Sequence, residues 1–266
     1  MNIFKFELKS ALKNSIIWLI VLLALNLIFM KAMYPIYVDG AKDIEKVLAS
    51  FPKEFAEAFG LNIKEIFHYG GFYSFCSNYI LLCGGIMAVY LGVSTFAREK
   101  KSKTMDFLFT KPIAREKIFI YKLLSNVSIL IITNIVFIIS AYLIYKSSGD
   151  TTTTIEKVLL ATSGLFFTQL VFLALGIIFA IFIKKVRSIA SIAIAIGFGA
   201  FIISAVANII GEEMLNYIAP MKYFDPNYVF SNGAFETKYV ITAIVVIIVS
   251  IGTSFIKYKN SDIEAV

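Results

Sequence analysis

The sequence predicts an all-α membrane protein of six spans, and three observations carry that prediction. Of 266 residues, 59% are hydrophobic and only 16% are charged, where a soluble domain carries about 25% charged residues. Mean hydropathy is +0.80, and apolar runs of twenty or so residues recur along the chain, each long enough for a hydrocarbon core of about 30 Å. Charge is also sorted by loop. With both termini placed inside, the inner segments hold 16 Lys and Arg against 6 acids, and the outer ones 9 against 12. The inside is then +10 and the outside −3, the bias expected of a cytosolic and an external surface.

Taken in order, residues 1–13 place Ile3, Phe4, Phe6, Leu8, Ala11 and Leu12 among Lys5, Lys9 and Lys13. That pattern predicts a basic amphipathic helix on the inner membrane surface, with a plain cytosolic extension of the first span as the alternative. The first apolar run is too long for the h-region of a signal peptide and is expected to stay as an anchor. Span one is expected at 14–33. The outer loop, 34–71, opens on a turn at Pro35. It continues as one or two short surface helices, with Ile44, Val47, Leu48 and Phe51 on one face, a break at Pro52 and a stop at Gly60. Gly70 and Gly71 are expected to hinge the chain into span two, 72–96, where Gly84, Gly85 and Gly92 offer sites for close helix approach. Cys76 and Cys83 lie two turns apart on one face of that span, too far for a disulfide, and read as small buried apolar residues.

Span three is expected at 119–145, followed by a turn at Gly149-Asp150. Span four is expected at 155–183, and a basic turn at Lys184-Lys185-Val186-Arg187 leads to span five at 189–210, rich in small residues. A second outer segment, 211–237, precedes span six at 238–256 and a short tail. The whole chain is expected to form one transmembrane domain.

Catalytic patterns are missing. No P-loop and no His-Glu-x-x-His occurs, and His68 is the sole histidine, in an outer loop. Gly197-Phe198-Gly199 lacks the preceding strand of a phosphate loop. Glu212-Glu213 has no basic partner nearby and reads as a solvated acidic turn. The spans hold Asn26, Asn126, Asn134, Gln169 and Asn208 but almost no ionisable group, whereas an ion-coupled carrier keeps a titratable relay in the membrane. Those amides read as helix-packing groups. An enzyme with its own site is not expected, no cofactor or metal is expected on this chain, and energy for any transport must come from a partner.

The one long charged stretch between apolar runs is Arg98–Lys122, with eight of the 25 Lys and Arg residues. Its centre, Lys103–Pro112, reads as a short helix with Met105, Leu108 and Phe109 on one face and Phe107 beside them. Thr104 is placed to cap its start, and Pro112 ends it. Such a helix suits a groove on a soluble partner. It equally suits lying on lipid, with its lysines on anionic headgroups.

The run Ala97-Arg98-Glu99, Thr104-Met105-Asp106-Phe107-Leu108, Lys111-Pro112-Ile113-Ala114-Arg115 and then Lys122 resembles the signature of ABC-2 type permease subunits, and the six-span plan resembles that family along the whole chain. Lys103 departs from the Gly common before that Thr. The resemblance implies a cytosolic coupling helix between spans two and three, within a segment 98–118, that docks in a groove of an ATP-hydrolysing subunit. Its contact residues would be Glu99, Thr104, Met105, Phe107, Leu108, Phe109, Pro112 and Arg115. ATP and Mg would be bound by that partner and not by this chain. It further implies a second permease copy, a multi-pass place in the cell membrane with both termini cytoplasmic, and export of an amphipathic or hydrophobic cargo such as a peptide, toxin or drug. A non-transporting membrane anchor or immunity-type protein is the alternative. Asn26, Gly197 and Gly199 are the residues expected at the cargo cavity or dimer face.

Overall fold

The computed structural model describes residues 3–61, 65–102, 113–183 and 186–260. Among them there is no strand, and six helices are long and apolar enough to cross a membrane. The protein is an all-α polytopic membrane protein.

Span one is longer than its apolar run required. Helix α1 (Ile3–Asn26) passes through a π-helical stretch, Leu27–Met33, into α2 (Tyr34–Asp39). The 37 residues reach roughly 55 Å at ~1.5 Å per residue, longer than a membrane core of about 30 Å. Two expectations change as a result. Residues 3–13 are not a separate surface helix but the unbroken start of span one. Pro35 does not turn the chain, because it sits in the first turn of α2. A proline ring clashes with the carbonyl four residues back in a regular helix. The wider π turn just before it supplies the slack.

The loop between spans one and two holds α3 (Ala41–Ala49) and α4 (Lys53–Ala58) on either side of Pro52. Gly60 ends this stretch at φ +65°, a conformation that favours glycine. Of the expected apolar face, Leu48 is buried and Ile44 packs beside it, while Val47 and Phe51 remain exposed. Gly70 and Gly71 are no hinge. They lie inside the first turn of α5 (Tyr69–Ser102), where a Cβ on Gly71 would fall 2.1 Å from the Glu65 carbonyl oxygen.

The remaining spans are α6 (Arg115–Ser148), α7 (Ile155–Phe182), α8 (Ile189–Ile210) and α11 (Thr237–Lys259). Ser188 caps α8 by accepting from the Ser191 amide at 3.2 Å. Short helices α9 (Glu213–Asn216) and α10 (Pro226–Asn232) lie in the segment between α8 and α11.

Helices α5 and α7 form the spine. A Cβ on Gly92 would meet the Leu173 carbonyl oxygen at 2.9 Å, and one on Gly176 would meet that of Val89 at 2.8 Å. Backbone therefore touches backbone at this crossing, the use of small residues that lipid-embedded helices favour. Gly84 and Gly85 instead make room for side chains, those of Leu165, Gln169 and Phe172. Buried amides add specificity: Asn134 of α6 donates to Gln169 of α7 at 2.6 Å, and Tyr73 of α5 donates to Thr162 of α7 at 3.0 Å.

Candidate functional site

The basic loop leaves α5 and enters α6, so the geometry of those two stems decides what the loop can move. On α5, Thr95, Phe96 and Ala97 are buried and Arg98 is partly exposed. On α6, the long side chain of Lys122 is pulled inward until only 1% of it is exposed. Its ammonium donates to the Thr95 carbonyl at 2.5 Å, lies 5.8 Å from the centre of the Phe96 ring, and pairs with Glu7 Oε1 at 3.3 Å. The other carboxylate oxygen of Glu7 pairs with Arg98 at 2.8 Å. Arg98 also donates to the Ser10 hydroxyl at 2.6 Å and stacks over Phe6 at 5.3 Å.

One carboxylate on α1 thus holds both stems of the loop. Glu7 is 4% exposed. A buried ion needs partners and hydrogen bonds to offset its desolvation: Glu7 has the two cations, and Lys122 has Glu7 and the Thr95 carbonyl. Beside it, the Thr95 hydroxyl donates to Asn126 Oδ1 at 2.9 Å.

A second tie involves span six. Glu116 pairs with Lys259 at 2.7 Å, both about half exposed, and Arg115 donates to the Lys259 backbone carbonyl at 3.4 Å. That carbonyl belongs to the open end of α11, where a cation is favoured. Beneath the stems, Phe96, Phe119, Phe255 and Tyr258 form a ring cluster that joins spans two, three and six. Phe119 stands 5.0 Å from Phe96, 5.3 Å from Phe255 and 5.6 Å from Tyr258. A cavity of about 170 Å³ opens next to the ion cluster, lined by Glu7, Ser10, Asn14, Tyr90, Ser94 and Arg98 among others.

The residues expected at an ATPase contact fall into two groups. Thr104, Met105, Phe107, Leu108, Phe109 and Pro112 lie outside the described residues, as does the side chain of Glu99. Arg115 is described, and it faces the end of span six.

The residues expected at a cargo or dimer face also separate. Asn26 is fully buried and donates to Ser140 of span three at 3.5 Å. Gly197 is buried against span two, where a Cβ would fall 2.3 Å from Ile86 Cγ1. Neither lies on an outer face of this chain, because each lets two of its own helices meet. Gly199 has open space around it.

Sequence reading missed Glu7. The available signal was weak: it is the sole acid in a basic stretch, and helical spacing puts it on the same face as Phe4 and Ala11, among apolar residues.

Six apolar helices among the described residues, set around a glycine-laced spine, with both stems of the α5–α6 loop pinned to α1, define a polytopic membrane protein. Residues 1–263 match the family model described as ABC-2 family transporter protein, and the chain belongs to that family. It is a membrane permease component of an ABC transporter. The comparison with curated proteins gave no match.

Proposed function

We propose that this chain is the permease subunit of an ATP-driven exporter, worked from the cytosol through the loop between α5 and α6. The observation that carries this reading is the pinning of both loop stems to the first helix by Glu7, in a chain of the ABC-2 family. A loop whose stems are fixed to neighbouring helices passes a push into the bundle, whereas a loop on free stems would absorb it.

In this reading residues 104–110 form the coupling helix and insert Phe107 and Leu108 into a groove of a separate cytosolic ATPase, which binds ATP and Mg. The basic end of the bundle faces the cytosol, in keeping with the charge bias. A second permease copy completes the pathway. The apolar residues exposed on spans one and five, including Ile16, Ile20, Ile202 and Val206, supply faces for lipid or for that copy. The cargo is amphipathic or hydrophobic, in keeping with spans that carry amides and hydroxyls but few charges.

The test is co-purification of the permease with a candidate ABC ATPase subunit, followed by ATP hydrolysis in proteoliposomes. The wild-type chain should retain the ATPase, and Phe107→Asp/Leu108→Asp should lose it. Retention by the double variant would remove the coupling-helix assignment. An ATPase that binds but drives no export of any peptide or drug tested would point to an anchoring or immunity role.

A further inference from the structure

Helix α1 is poorly embedded. Of its 24 residues only Glu7, Ser15, Leu22 and Asn26 are buried. Two of these carry side-chain bonds to other spans: Asn26 reaches Ser140 near the far end, and Glu7 reaches Arg98 and Lys122 at the basic end. Ser15 turns back to its own helix, donating to the Ala11 carbonyl at 2.9 Å. The apolar packing of α1 on its neighbours is otherwise one-sided, with Ile16, Ile17, Ile20 and Val21 exposed. Apolar contact is non-directional, so it resists sliding or rotation of a helix less than a directed ionic contact does.

We propose that Glu7 is a positioning residue: a single buried carboxylate that clamps span one to both stems of the cytosolic loop, so that span one moves with the loop. Three features set this contact apart from an ordinary surface ion pair. Both oxygens of Glu7 are used, one for each stem. Lys122 is withdrawn from water and held a second time by the Thr95 carbonyl, so it cannot swing out into solvent. The contact joins residues 91 positions apart in the chain, so nothing local imposes it. By comparison, the Glu116–Lys259 pair at the same end is half exposed and worth little. Load on the loop therefore reaches span one directly across 2.8 Å and 3.3 Å contacts. The clamp itself stands on geometry alone, while its role in transmitting force rests on the permease reading above.

The test uses the full chain in nanodiscs, with Cys76→Ala and Cys83→Ala removing the native thiols. Spin labels are placed through Lys5→Cys on α1 and Lys117→Cys on α6, both exposed positions. Pulsed electron resonance then reads the distance between span one and the loop stem. The parent should give one narrow distance peak. Glu7→Gln should lose it to a broad distribution, and Glu7→Asp should largely keep it. Because Glu7→Gln takes the Glu7 carboxylate away from buried Lys122, Glu7→Gln/Lys122→Met serves as the second variant. It leaves no ion stranded, so its thermal midpoint should return toward the parent while the distance stays broad. A merely structural role predicts that the peak narrows again together with stability.

An unchanged narrow peak in both Gln variants overturns the clamp, whether or not any ATPase binds. A broad distribution with wild-type export per ATP in the assembled transporter overturns the transmission role. Failure of the parent chain to retain an ATPase would count against the permease reading and leave the distance result to decide the clamp.

Discussion

Spans two and one are held in opposite ways. In span two, 78% of the apolar stretch is buried, against 17% in span one. Span two meets span four backbone to backbone through Gly92 and Gly176, while span one is held by side-chain contacts spaced along it, at Glu7, Asn14 and Asn26. The contrast shows how a membrane bundle can combine a fixed spine with a helix free to shift. Without a hydrophobic force between helices in lipid, close packing alone makes the spine, and a directed polar contact decides where the loosely packed helix sits.

The largest effect that sharpens this contrast is expected in the spine. Gly176→Leu places a side chain where a Cβ already lies 2.8 Å from backbone. The cost should exceed the ~1–3 kcal/mol typical of overpacking, because backbone cannot step aside. Size-exclusion in detergent should show the folded peak lost, whereas Gly252→Leu, with open space around it, should elute as the parent does. Equal behaviour of the two would break the distinction between spine and periphery.

The next effect belongs to the clamp. Lys122→Met leaves Glu7 with Arg98 alone and should lower stability by about 3 kcal/mol, the low end for breaking a buried pair. Thermal unfolding in nanodiscs reads it. A smaller loss follows from Asn134→Leu, which takes from Gln169 Oε1 the donor that joins spans three and four. One interhelical hydrogen bond in a membrane is worth about 1 kcal/mol, and the same assay should register a modest drop. Smallest of all, Glu116→Gln removes a half-exposed pair and should cost less than about 1 kcal/mol.

Much of the fold was legible because apolar run length is a local signal. Span five was expected at 189–210 and the helix is Ile189–Ile210; span four was expected at 155–183 and the helix is Ile155–Phe182. The packing roles of Gly84, Gly85 and Gly92 also followed, since small residues in an apolar run have few other uses. Span one ran past its expected end because Tyr34–Asp39 keeps a helical character that Pro35, in a first turn, does not interrupt. The clamp was illegible for a different reason. Glu7 finds its partners 91 residues away and beyond, and nothing in its neighbourhood announces that pairing. The ring cluster of Phe96, Phe119, Phe255 and Tyr258 is hidden likewise, since its members come from three spans.

The most direct test of control from the cytosol is accessibility of the loop itself. In inverted membrane vesicles lacking the native thiols, Phe107→Cys should react with a membrane-impermeant maleimide, and added ATPase subunit should shield it. Reaction only in right-side-out vesicles, or no shielding at any ATPase concentration, would contradict a bundle driven through this loop.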